Sequence, residues 1–219
     1  MMPLRDESRR PARFPIVTTC IIAINVVVFI LEMSGGDEFV AEWSVVPAHI
    51  TAGRDWITIL TAMFMHGSWS HILGNMIFLW AFGPEIEDTM NPRRYAAFYL
   101  VGGVAAMLAQ IAAGPASTVP CLGASGAIAA VMGAFMVTYP RDKIRTILFF
   151  GWFFRVTFIP AVLLIGFWFL IQLFSVGAVT DVQSGGVAYL AHIGGMIFGA
   201  VTARSFEDSR RLAERRGDD

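Results

Sequence analysis

Four polar side chains fall where almost every neighbour is apolar: His71, Asn75, Ser125 and His192. A hydroxyl and an imidazole brought together are the parts of a nucleophile and its base, because serine attacks usefully only with an adjacent proton acceptor. Polar groups at membrane depth are costly in hydrocarbon, so each marks function by default, with interhelical hydrogen bonding as the plainer alternative. Asn25, Gln110 and Gln172, each isolated in its stretch, are assigned to that plainer role. The other four are not, because their depths coincide.

Stretches 14–31, 56–84, 95–140, 156–180 and 182–203 contain no Lys, Arg, Asp or Glu. A hydrocarbon core about 30 Å thick is crossed by about 20 such residues as helix. Turn residues Gly114, Pro115 and Pro120 divide the longest stretch in two. The spacing predicts six transmembrane helices, at roughly 14–33, 70–84, 95–113, 125–140, 156–177 and 187–204. The first lacks a small-residue cleavage site and is read as retained, not as a signal peptide. Basic residues alternate between loops: Arg5, Arg9, Arg10, Arg13, Arg93, Arg94, Arg141, Lys143, Arg145, Arg155 and the tail from Arg204 fall on one side, Arg54 alone on the other. The positive-inside rule then puts both termini in the cytoplasm.

At 1.5 Å per residue, the helix from Ser125 to Arg141 spans roughly 22 Å, so Ser125 starts below the outer surface of the bilayer. The preceding loop, 114–124, must dip into the membrane, which is tolerated only inside protein or beside water. His71 lies about 21 Å above the inner boundary at Glu85, and His192 about 18 Å above Arg204. Asn75 follows His71 on the same helix face, four residues on. All four groups therefore occupy one slab in the outer half of the membrane. Gly126, Ala130, Gly133 and Ala134 on the fourth helix, and Gly195 and Gly199 on the sixth, form small-residue faces that let backbones approach. That approach brings the Ser125 hydroxyl and the His192 imidazole within reach.

The composition agrees with a membrane protein. Of 219 residues 56% are hydrophobic and 15% charged, with mean hydropathy +0.62, against about 25% charged residues in soluble domains. A net charge of −1 selects no nucleic acid. Cys20 and Cys121, the two cysteines, exclude a disulfide scaffold. No nucleotide-binding loop, HExxH or CxxC is present, so no cofactor or metal is expected. A metal site from His66, His71 and His192 lacks acidic or thiolate ligands at depth, and a transporter is disfavoured by the lack of an inverted repeat.

GASG at 123–126, AHIGGMIFG around His192 and HGSWSHILGN from His66 to Asn75 together resemble the rhomboid family of intramembrane serine proteases. LTAMFMHGSWSH at 60–71, FGPEIED at 82–88 and FWFLIQL at 167–173 extend the match. The resemblance implies an all-α, six-helix membrane bundle, with a cytoplasmic segment 1–13, a protease domain 14–204 and a cytoplasmic tail 205–219. It implies a Ser125–His192 dyad without a catalytic aspartate, with His71 and Asn75 helping to form the oxyanion hole. His66 matches an accessory histidine and Glu87 a structural glutamate. Single-span transmembrane proteins in the lipid bilayer are the implied substrates, and the inner membrane of a bacterial cell the implied location. The alternative reading is an inactive rhomboid-like adaptor that binds transmembrane helices.

Two positions depart from the family pattern. An aromatic residue that stacks on the catalytic imidazole is replaced by Ala129, leaving Tyr189 to hold the ring. Trp-Arg in the outer loop is replaced by Ile57 and Thr58. The family pattern also implies a mobile cap at 175–186 and a lateral gate between the second and fifth helices.

Overall fold

The computed structural model describes residues 1–151, 153–178 and 188–211. Eight α-helices are present among them: α1 (Ile16–Trp43), α2 (Pro47–Thr51), α3 (Thr58–Thr61), α4 (Trp69–Met90), α5 (Pro92–Ala113), α6 (Ser125–Thr138), α7 (Ala161–Ala178) and α8 (Tyr189–Phe206). By length and composition, α1 and α5 suffice to cross a membrane, and α6 and most of α7 are shorter apolar helices. Of the expected cap, residues 179–186 lie outside the described residues, as does 212–219 of the expected tail.

The first helix, α1, buries a mostly polar face and turns apolar residues outward. The buried stripe of α1 is Thr18, Ile21, Asn25, Phe29 and Glu32, spaced by three or four residues and so on one face. Three of the five are polar, whereas the outward residues include Ile24, Val27, Ile30 and Leu31. On α4 the buried run from Ala81 to Met90 contains Glu85, Glu87 and Asp88. The helix therefore continues past the charges expected to end it at 84. Glu87 accepts the N–H groups of Val17 and Thr18 at 2.9 and 2.8 Å and the Thr18 hydroxyl at 2.8 Å. It thus satisfies donors that the first turn of α1 leaves open, which is the structural role expected of it. The first helix also outruns its expected end at 33, continuing to Trp43 through a break at Gly36 (φ 61°, ψ −148°).

Close backbone contact joins α6 to α8, on the small-residue faces. A Cβ added to Gly199 would lie 1.9 Å from the Ala130 carbonyl oxygen, and one added to Gly195 would lie 2.2 Å from that of Gly126. Gly133 is equally constrained, 2.2 Å from the Met196 carbonyl oxygen. Only glycine permits this approach, and it sets α8, with His192, directly against α6, with Ser125.

The expectation of an all-α chain is corrected by a three-stranded antiparallel sheet of β1 (Met2–Asp6), β2 (Lys143–Phe150) and β3 (Phe153–Pro160), in the order β1-β2-β3. Residues 156–160, expected to open the fifth long helix, belong to β3, and α7 starts at Ala161. The reason is visible in the pairing. Ile144 lies opposite Ile159 and Thr146 opposite Thr157, and Ile144 and Thr146 are buried. β-Branched residues at a spacing of two suit a half-buried strand, and Gly151, at φ 59°, supplies the left-handed turn. At the base of the sheet Arg9 pairs with Asp142 and stacks over Tyr139, 4.2 Å from the ring centroid. Burial, and then the neighbouring Asp142, push the Asp6 carboxyl up to about 7, against the backbone N–H of Ser8.

Candidate active site

Ser125 is the first residue of α6, where backbone N–H groups have no intrahelical acceptor and the helix dipole is positive. The chain reaches it through Gly123, whose φ of +133° lies in the region that favours glycine. The Gly123 N–H is tied to the Ala62 carbonyl at 2.8 Å. A Cβ on Gly123 would sit 3.0 Å from the His71 ring and 3.6 Å from Ser125 Oγ, so a side chain here would crowd the site.

His192 Nε2 lies 2.7 Å from Ser125 Oγ, the separation of a nucleophile and its general base. His192 is buried on α8. The start of that helix is held by Gln110 of α5, whose Oε1 accepts the Ala191 N–H at 3.2 Å. Gln110 is thus interhelical glue, as expected. Asn25 instead donates to Ile21 of its own helix at 2.7 Å.

His71 and Asn75 line the same cavity as Ser125 and His192, a space of about 800 Å³. Ser68 caps α4 by accepting the His71 N–H at 3.2 Å, which fixes His71 in the first turn. Asn75 Nδ2 is buried without a partner, a donor held in reserve at the cavity wall. His66 stands behind this group. Its ring packs edge-on against His71 at 5.1 Å, its backbone N–H is held by Glu32 at 2.8 Å, and neither ring nitrogen has a partner.

The ring of His192 is flanked by more than Tyr189. Tyr189 stands edge-on at 6.5 Å, while Trp168 of α7 lies nearer, at 5.5 Å and tilted by 40°. Gln172, one turn further along α7, places Oε1 2.8 Å from His192 Nδ1. This is the interhelical hydrogen bond expected of it, but the sequence names no partner, because a lone glutamine in an apolar helix carries no signal of which ring it meets. Its position four residues after Trp168 was the available hint. Among the described residues, no three His, Cys, Asp or Glu side chains are grouped to hold a metal ion.

A family model described as the Rhomboid domain matches residues 53–206. The chain is similar to the Rhomboid protease GluP of Bacillus subtilis, at 27% identity over 195 residues (86% of this chain, 34% of that protein). It is likewise similar to the mitochondrial Rhomboid protein 1 of Saccharomyces cerevisiae, at 27% over 191 residues (83% and 50%). The mitochondrial presenilin-associated rhomboid-like protein of Rattus norvegicus matches at 30% over 143 residues (59% and 34%). The chain thus spans between a third and a half of the length of these relatives.

Proposed function

This chain belongs to the rhomboid family, whose fold is membrane-embedded, and from that premise we propose that it is an intramembrane serine endopeptidase. The observation that carries the reading is the 2.7 Å contact between Ser125 Oγ and His192 Nε2, made at a helix N-terminus on a cavity that His71 and Asn75 also line. In the proposed reaction His192 Nε2 takes the hydroxyl proton as Ser125 Oγ bonds to a peptide carbonyl carbon. The resulting oxyanion is met by the Ser125 N–H, His71 and Asn75, donors of the kind that stabilise such charge. His192 then passes its proton to the departing amine as the C–N bond breaks, leaving an acyl ester on Ser125. Water attacks the ester carbon as His192 accepts its proton, and His192 then returns that proton to Ser125 Oγ as the acyl C–O bond breaks, releasing the acid product with both side chains restored.

The distribution of basic residues supports cytoplasmic termini and a six-helix bundle, with Ser125 in the outer half of the membrane. The proposed substrates are therefore single-span helices cut near their extracytoplasmic ends. Residues that loosen the helix there expose the carbonyl, which an intact helix hides in internal hydrogen bonds. The test is incubation of the purified protein with a tagged single-span substrate, with the product mapped by mass spectrometry. Cleavage in the outer half of the substrate span, lost in a folded Ser125→Ala variant, is the expected result. Binding of the substrate without cleavage would favour the inactive adaptor instead, and cleavage by Ser125→Ala at the wild-type rate would refute the mechanism.

A further inference from the structure

We propose that Gln172 is the positioning residue of the Ser125–His192 pair, holding the imidazole in the tautomer and orientation that a general base requires. The inference rests on the protease reading above. It begins with the amide's two ends. Gln172 Nε2 donates to the Trp168 carbonyl of its own helix at 3.2 Å, so its Oε1 is the end that faces His192 Nδ1 at 2.8 Å. An amide oxygen only accepts hydrogen bonds. The proton of the neutral ring therefore sits on Nδ1, and the lone pair sits on Nε2, 2.7 Å from the Ser125 hydroxyl. The opposite tautomer would set the Nε2–H against Ser125 and an unprotonated Nδ1 against the Gln172 oxygen, leaving two lone pairs opposed and the nucleophile without a base.

Ring orientation follows from the same helix. Ala129 leaves α6 without an aromatic support, and Trp168, one turn before Gln172, packs against the imidazole instead. Tyr189 closes a second side. Both Gln172 and His192 are buried, where water does not compete for Nδ1 and a hydrogen bond orients its partner strongly. Among the described residues lining the cavity there is no carboxylate, so the place a triad gives to an acid is taken here by a neutral acceptor. A neutral amide orients the ring and polarises Nδ1–H, without contributing a full charge when imidazolium forms.

The experiment compares the unaltered protein with Gln172→Leu, Gln172→Met and Gln172→Glu, using cleavage of a tagged single-span substrate, thermal unfolding, and nitrogen NMR of the His192 ring. Leu and Met remove the acceptor at similar volume, while Glu restores it. Losing one buried acceptor predicts a kcat lower by about tenfold to a hundredfold in Leu and Met, with KM changed by less than about twofold. Gln172→Glu returns kcat to within about threefold of the unaltered protein, since its carboxylate accepts the same bond. The NMR spectrum shows a protonated Nδ1 in the unaltered protein and a mixture of tautomers in Leu or Met. If Leu fails to fold, Met carries the comparison. Unchanged kcat in folded Leu or Met overturns the assignment, as does a Glu variant as impaired as Leu. An unaltered protein with no Ser125-dependent cleavage overturns the protease reading itself, and this assignment with it.

Discussion

Gly199→Ala is the most exacting perturbation of the proposed site, although the residue touches neither Ser125 nor His192. Its new Cβ would lie 1.9 Å from the Ala130 carbonyl oxygen, where carbon and oxygen normally stay about 3.3 Å apart. The helices must then part by about 1.4 Å along that line, the difference of the two distances. The obstacle is backbone, so no rotamer change on α6 relieves it. Gly199 is seven residues beyond His192 on α8, about 10 Å along the axis, and a rigid helix transmits the shift. Carried in full, it stretches the 2.7 Å contact to about 4 Å, beyond any hydrogen bond. Carried by half, it leaves about 3.4 Å, at the limit of one. Misplacement by about 1 Å costs on the order of 10²-fold in rate, whereas overpacking costs about 1–3 kcal/mol of stability. The assay is kcat for a single-span substrate alongside thermal unfolding, with Gly166→Ala as control. An added Cβ at Gly166 meets nothing within 4 Å, so both quantities should hold or improve slightly. A Gly199→Ala protein with wild-type kcat and stability would refute the claim that the α6–α8 contact sets the catalytic distance.

His71→Ala and Asn75→Ala should each lower kcat by about 10²–10³ with KM little changed, the loss expected for one oxyanion donor; a fall confined to KM would assign them to substrate binding. Glu87→Ala strands the Val17 and Thr18 donors and should cost about 3 kcal/mol, with cleavage per folded molecule unchanged. Unfolding that matches the wild type would show that α1 needs no such anchor. Asp6 binds its proton up to about 7 in the folded chain and only to about 3.9 when unfolded. Its contribution to stability is therefore complete below that lower value and lost as pH rises through about 7. Thermal unfolding of Asp6→Asn should lack this decline between about pH 4 and 7, and parallel pH profiles for both proteins would exclude Asp6 as its source.

The legible parts of this molecule were those in which one residue type had one structural use. Glycines at 195 and 199 and the small residues facing them announced a close helix pair, and the turn residues before Ser125 announced a helix that begins there. Where one type had two uses, the pattern misled. An uncharged run from 156 served equally as helix or strand, and only pairing with β2 resolves 156–160 as strand. Glu85, Glu87 and Asp88 looked like the end of a helix but are buried within α4, and for Glu87 and Asp88 the segment before α1, its first turn and the tail supply partners such as Ala12, Val17 and Arg211. These partners are distant in sequence, and spacing along one helix cannot reveal them.

Gln172 belongs to the same class, and its location has a mechanical consequence. The separation of Ser125 from His192 is set by glycine contacts between α6 and α8, whereas the orientation of the ring is set by Gln172 and Trp168 on α7. Distance and direction thus depend on different helices. The α6–α8 contacts run backbone to backbone and admit no slack. The α7 contacts run through side chains: the 2.8 Å bond to Nδ1 reaches the 3.5 Å limit of a hydrogen bond once α7 recedes by about 0.7 Å. A chain that kept an aromatic at position 129 would hold its imidazole from α6 and would tolerate that movement. With Ala129 a recession of α7 would take away the ring's tautomeric bias and its aromatic neighbour together, so on the proposed mechanism the base of Ser125 would depend on the seating of α7.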